Sequence, residues 1–190
     1  MRYIVFLLAL GATAFAQTSI PATGKFPATR VQVQIGMQEK AKGTDSYHKT
    51  QHIQPRFSFD GDSSMLPIPA AEAVMLIISY DTKAKFVENR DSYKVLSTET
   101  IPVPAATGGA RRQFSFAPSD VSFDGYRDNS NVGGQAYKYY IFALRDAESK
   151  TIIDFETNCP SLATLCKTTP AKRDEMLGLA KNAKFPTVFK

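Results

Sequence analysis

The chain has 190 residues, 43% of them hydrophobic and 11% aromatic, with a formal charge of +5. That apolar content excludes a disordered chain and is enough for the core of one domain. A pI near 9.2 suits contact with anionic surfaces such as acidic glycans or lipid head groups, but a soluble surface that is merely basic is the plainer and preferred reading. No Lys/Arg block of nucleic-acid type occurs, which argues against a nucleic-acid partner.

The first residues have the pattern of a cleavable export signal. Arg2 is a positive n-region, residues 3–10 form a short apolar core, and Ala14-Phe15-Ala16 places small residues before a cut at Gln17. The rival readings are an uncleaved anchor and a buried helix. Cleavage leaves about 174 residues, one domain's worth, exported to the periplasm or to the outside and the cell surface. No second run of ~20 apolar residues follows, so no stable membrane span is expected after cleavage.

Residues 17–29, with two prolines and a glycine, read as an extended lead-in. From Arg30 the pattern alternates, with Val31, Val33, Ile35 and Met37 opposite Gln32, Gln34 and Gln38: a half-buried strand with one wet face. Residues 38–47 read as a loop. The next strand runs from about 49 to 60, with Ile53, Pro55, Phe57 and Phe59 on one face and Gln54, Arg56 and Ser58 on the other. Pro55 cannot donate to a ladder, so that strand is an edge or is broken near there. Asp60-Gly61-Asp62-Ser63-Ser64 reads as a turn, and Pro67 and Pro69 bracket a short crossing.

Residues 73–80 (Ala-Val-Met-Leu-Ile-Ile-Ser-Tyr) are the most apolar piece of the mature chain. Periodicity alone allows a short buried helix; length and β-branched content favour a central strand. A short strand near 85–88 and one over 93–103, stopped by Pro102 and Pro104, come next. Thr107-Gly108-Gly109 turns into a strand over 110–117, and a polar loop over 118–134 leaves room for a brief strand at Val121 and Phe123.

Residues 135–157 carry the strongest signal, two aromatic and β-branched runs flanking a polar turn at 146–150: a hairpin. In its first run Tyr137, Tyr139, Ile141 and Ala143 share one face, and Tyr140, Phe142 and Leu144 share the other. Apolar on both faces, the strand should be covered above and below. Beyond it, Thr168 or Thr169 is an N-cap and Pro170 suits the first helical position of a helix over 171–183, with Met176, Leu179, Ala180 and Ala183 in one stripe. Gly178 weakens that helix by roughly 1 kcal/mol relative to Ala. The tail Phe185-Pro186-Thr187-Val188-Phe189 is either packed back or free for a partner, including a second copy.

Seven or eight strands with helix at the end, and no helix–strand alternation, argue against a parallel α/β fold. The expected architecture is mainly β: an antiparallel two-sheet β-sandwich over 30–157 and a helical segment and tail over 158–190. A closed barrel is the alternative.

The hairpin motif Tyr137-x-Tyr139-x-Ile141-x-Ala143, turn, Ile153-x-Phe155 resembles strands F and G of immunoglobulin-like and fibronectin-III-like domains. The resemblance implies an Ig-like sandwich and makes Tyr137 the structural corner residue, its hydroxyl tying the strand to the preceding corner, with Tyr139 as second choice. The chain departs from those families in having no Trp and no cysteine pair between sheets, and Gly133-Gly134-Gln135 lacks the usual Asp. It also looks like small exported Ig-like proteins associated with type IV pilus machinery or the Gram-negative cell surface. That implies an adhesive or assembly role, though not that of a pilin, whose long apolar helix survives processing.

Cys159 and Cys166, an even number in an exported chain, are expected to form a disulfide. The bond requires a loop between them, because a continuous helix would hold their Cα atoms ~10 Å apart, beyond the ~7 Å limit. His48 and His52, four apart where a loop runs into a strand, would lie ~13 Å apart and are expected as a surface pair, not a metal site. No G-x-S-x-G elbow occurs, and the sequence pairs no two of Asp81, Glu88, Asp91 and Asp120 for glycosidase chemistry. The loop over 120–131 has oxygen ligands for calcium but misses the EF-hand spacing, and reads first as a plain Asx-rich loop. The expectation is therefore no enzyme, cofactor or metal. It is a module binding an envelope or surface protein or an anionic glycan through the loops at 104–110 and 118–134, with Arg111, Arg112, Tyr126 and Arg127 as contacts. An envelope- or glycan-acting enzyme, or a carbohydrate-binding module, is the alternative.

Overall fold

The computed structural model describes residues 31–42, 45–59, 69–105, 111–125 and 132–189. The expected export signal, lead-in and turn at 60–64, with Tyr126, Arg127, most of the loop at 104–110 and much of the calcium-candidate loop, lie outside the described residues. What is described is a two-sheet antiparallel β-sandwich with short helices near the C-terminus.

The first sheet is built on a long hairpin of β1 (Val31–Lys42) and β2 (Asp45–Phe59). The loop expected over 38–47 is thus mostly strand: Gln38 faces His52 and Glu39 faces Gln51 across the ladder. On its other side β2 pairs with two short strands in succession, β5 (Arg112–Ser115) and β6 (Ser119–Asp124). Pro55 lies where one hands over to the other. In an antiparallel ladder a residue's N–H and C=O point the same way. The Pro55 carbonyl accepts from Phe116 N at 3.1 Å, so the missing N–H faces this junction and not β1. The break predicted from Pro55 therefore falls in the partner, and β2 runs through as the central strand.

The second sheet has the order β8-β7-β3-β4-β9, with β3 (Ala71–Asp81), β4 (Tyr93–Val103), β7 (Gln135–Asp146), β8 (Ile152–Thr157) and β9 (Lys184–Phe185). Its inner face meets the first sheet. Phe142 and Leu144 of β7 and Ala73, Met75 and Ile77 of β3 pack on Val31, Ile53, Phe57 and Phe59. The rings of Phe57 and Phe142 meet across the interface at 5.0 Å. Its outer face (Val74, Leu76, Ile78, Ile141, Ala143) lies under α2 (Pro160–Thr168), α3 (Pro170–Leu177) and the tail, through Leu162, Cys166, Met176, Phe185 and Phe189. The strand expected to be covered above and below is so covered.

Three local expectations change, and one that was open is decided. The short strand near 85–88 is instead a one-turn helix, α1 (Thr82–Phe86), capped by Asp81, whose Oδ1 accepts from Ala84 N at 3.0 Å. The single C-terminal helix becomes two that meet at Thr169, and α3 stops before Gly178, a weak helix former. The tail packs back: Phe185 pairs with Tyr93 as β9, and Phe189 is buried, while Val188 is 64% exposed.

The remaining change is the disulfide. Cys159 and Cys166 are free, buried thiols, because Pro160 starts a continuous helix between them and the rise over seven residues is ~10 Å. Burial pushes the Cys166 thiol up to about 11, with Arg173 pulling the other way.

Candidate functional site

The open end of the sandwich, beside α1, groups aromatic and charged side chains around Tyr93, at the margin of the core under the helices. Three local features create it. Asp81 starts α1, whose last turn sets Lys85 and Phe86 outward; Asn89, at φ 49°, then reverses the chain in a conformation that Asn tolerates. This brings Asp91 back to Lys85, with Oδ1 3.5 Å from the ammonium, and Tyr93 donates its hydroxyl proton to the same oxygen at 3.1 Å. Burial first, then the Asp91 carboxylate, pushes the Tyr93 hydroxyl up to about 12.

The third feature is a β-bulge. Ile78 pairs with Tyr139 but Ser79 pairs with Tyr137, so Lys138 is the extra residue. The bulge turns Lys138 out, with its ammonium 5.8 Å from the Tyr80 ring centre and 5.4 Å from that of Tyr139, within cation–π range. It also reverses the facing of Tyr137, which packs with the inter-sheet core and not with Tyr139 and Ile141. Tyr137 is therefore not a corner tyrosine of the expected kind. Its hydroxyl accepts from Asn158 Nδ2 at 3.3 Å, beyond β8, and not from the corner before it.

Tyr80, Lys85, Phe86, Asp91, Ser92, Tyr93 and Lys138 line a hollow of about 270 Å³. Tyr80 and Phe86, in edge contact at 6.2 Å, are also a wall of a second hollow of about 200 Å³ reaching between the sheets. Its floor is a polar tie. Lys49 donates to Glu39 Oε1 at 2.8 Å, Gln51 donates to Glu39 Oε2 at 3.2 Å, and Gln51 Oε1 accepts from the Tyr137 amide at 2.9 Å. These partners, Lys49 foremost, hold the Glu39 carboxyl below its usual range. Gly134, at φ +89°, closes the corner: an added Cβ would lie 2.3 Å from the Ser122 carbonyl, and Thr82 N–H and hydroxyl both donate to its oxygen.

A π-face beside fixed ammonium and carboxylate groups can hold a sugar ring by its apolar face while its hydroxyls meet the charges. Of the side chains lining the first hollow, only Asp91 was weighed from sequence, as one of four carboxylates with no assigned pair, and none was expected as a ligand contact. The signal available was Lys138, a single charge inside an otherwise aromatic run.

The two described residues among the expected contacts, Arg111 and Arg112, lie elsewhere. Arg111 lies on the outward face of the first sheet, in a shallow basin of about 410 Å³ with Gln32, Gln34, Arg56, Ser58 and Gln113. Arg112 turns to the other face, stacks its guanidinium 5.1 Å above Phe114, and donates to the Pro104 carbonyl at 2.8 Å. Adjacent strand residues face opposite ways, so the two arginines cannot share a site. His52 Nδ1 lies 2.8 Å from Asp120 Oδ1 on the same outward face, and no cluster of three or more His, Cys, Asp or Glu with metal-holding geometry occurs among the described residues.

No protein-family model matches the chain, and no curated protein matches it. Among solved structures, a crystal structure from Akkermansia muciniphila is similar over 70% of this chain and 72% of its own, at 14% identity and a TM-score of 0.33.

Proposed function

We propose that this protein is a non-enzymatic binding module of the cell envelope, an exported immunoglobulin-like sandwich with an adhesive or pilus-associated role. The observation that carries the reading is the hollow walled by Tyr80, Phe86 and Tyr93 and flanked by Lys85, Lys138 and Asp91. Its rings are prepositioned by a capped turn and a bulge, so binding orders little side-chain freedom. Its charged groups are already engaged, Asp91 by Lys85 and Tyr93 and Lys138 by two rings, an arrangement suited to holding a ligand. The ligand it fits is a surface glycan or glycosylated envelope protein that offers a sugar ring to the rings and hydroxyls to Asp91 and Ser92. The export-signal pattern over 1–16 supports a periplasmic or cell-surface location in this reading.

The test is sedimentation of purified protein with washed envelope fractions. Wild type is expected in the pellet, and Tyr80→Ala/Phe86→Ala in the supernatant with unchanged circular dichroism. Equal pelleting of the two proteins would reject the hollow as the contact.

A further inference from the structure

The outward face of the first sheet has a composition that folding does not require. Along β1, β2 and β5 it presents Gln32, Gln34 and Gln38, then Gln54, Arg56 and Ser58, then Gln113 and Ser115, with Arg111 just before β5. Ordinary soluble faces mix both charge signs. Here, among the described residues, the rows from Gln32 to Gly36 and their partners carry no carboxylate; Asp120, one row further on beside Gln38 and His52, is engaged by His52. No ion pair to Arg56 or Arg111 occurs among the described residues. Gly36 leaves a gap in the face: an added Cβ would lie 3.6 Å from Arg56 Nη2, so the guanidinium lies beside the bare backbone at its edge.

We propose that this face is a second binding site, for an extended acidic polysaccharide. Each side chain has a matching role. Arg56 and Arg111 supply planar forks for carboxylate or sulfate oxygens, which a guanidinium engages through two parallel N–H bonds. The glutamine amides both donate and accept, as sugar hydroxyls do, and the serines add short hydroxyl partners. The outward side chains of these rows are neither apolar nor aromatic, which disfavours a peptide that must bury apolar side chains and favours a hydrated polyol chain. Successive outward residues lie ~6.8 Å apart along a strand and ~4.8 Å apart between strands, so the donors form a grid long enough for several sugars. The proposal deepens the binding-module reading by naming a ligand class, but it uses a face distinct from the hollow.

The experiment uses soluble polymers and no envelope material, so that it fails or succeeds independently of the sedimentation test. Binding of the full chain to polygalacturonate (carboxylated), heparin (sulfated) and dextran (neutral) is measured by titration calorimetry at low and physiological salt. Wild type is expected to bind at least one acidic polymer, more weakly as salt rises, and not dextran. The polygalacturonate and heparin arms tell carboxylate from sulfate recognition. Arg56→Gln/Arg111→Gln is expected to lose about tenfold or more in affinity, the loss of one or two charge-assisted contacts. Lys167→Gln/Lys172→Gln, which removes the same charge from the helical side, and Phe86→Ala should bind like wild type. Absence of binding to both acidic polymers overturns the proposal. So does an equal loss in the lysine variant, which would reduce the effect to net charge, or undiminished binding by the arginine variant with its melting temperature intact.

Discussion

The two sheets use the same strand geometry to opposite ends. The second is apolar on both faces, pressed by the first sheet on one side and by α2, α3 and the tail on the other. The first is apolar on its inner face alone, and its outer face is a lattice of glutamine, serine and arginine. The difference teaches where this protein places stability and where it leaves room for partners. A strand buried on both sides has no side chain to spare, whereas a half-covered sheet has every second residue free of packing. At the open end, where a bulge of the second sheet meets the hairpin of the first, both kinds of residue lie side by side.

The comparison breaks most directly at Phe142, which is fully buried between the sheets. Phe142→Ala should lower unfolding free energy by about 3–5 kcal/mol in urea denaturation, and Gln34→Ala on the outer face should move it by less than about 0.5 kcal/mol. Similar losses at both sites would erase the distinction.

Next in size is Gly134→Ala. Its strained φ and the contact with the Ser122 carbonyl should cost more than about 1 kcal/mol by the same measurement, and should loosen the junction of β6 and β7. A neutral outcome would mean that the two sheets do not depend on this corner.

Alkaline pH probes the same junction through its tyrosines. Burial pushes the hydroxyls of Tyr93 and Tyr137 up to about 12, and burial with the Glu156 carboxylate raises that of Tyr140 further. Between about pH 10 and 12 the unfolded chain releases these protons while the folded chain keeps them. Stability is therefore full below about 10 and falls as pH rises through that window. Tyrosine absorbance should show these groups titrating later in the folded protein than in urea; simultaneous titration would place them in solvent.

The smallest effect is expected from reductant. With Cys159 and Cys166 as free thiols under the helices, dithiothreitol should leave the melting temperature unchanged. A thiol reagent should react slowly with the folded protein and count two thiols at once after unfolding. A drop in melting temperature on reduction would instead show the bridge that the spacing suggested.

How far the sequence carries depends on whether a signal is periodic. Val31 to Met37 and Tyr139 to Leu144 could be read because alternation, or its absence, reports directly on which faces are buried. The class of fold followed from strand count and from the missing helix–strand rhythm. The hollow was less legible. Its residues come from a cap, a left-handed Asn and a bulge, and each of these re-aims a side chain by a local change of register that no periodicity records. Lys138 within its aromatic run was the trace left in sequence. For the contact residues the reason is simpler: Arg111 and Arg112 are neighbours in the chain but lie on opposite faces of a strand.

Alternation in the chain was enough for the mainly β architecture, the hairpin of β7 and β8 and the wet face of the first strand, because burial on a pleated sheet repeats every two residues. Only the tertiary structure decided that Pro55 sits in a central strand, that the cysteines stay apart, that the tail completes the second sheet and that Tyr80, Phe86, Tyr93 and Lys138 converge. Those outcomes depend on which backbone groups find partners across elements far apart in the chain, and that information lies in the packing of the sheets, not in any single stretch.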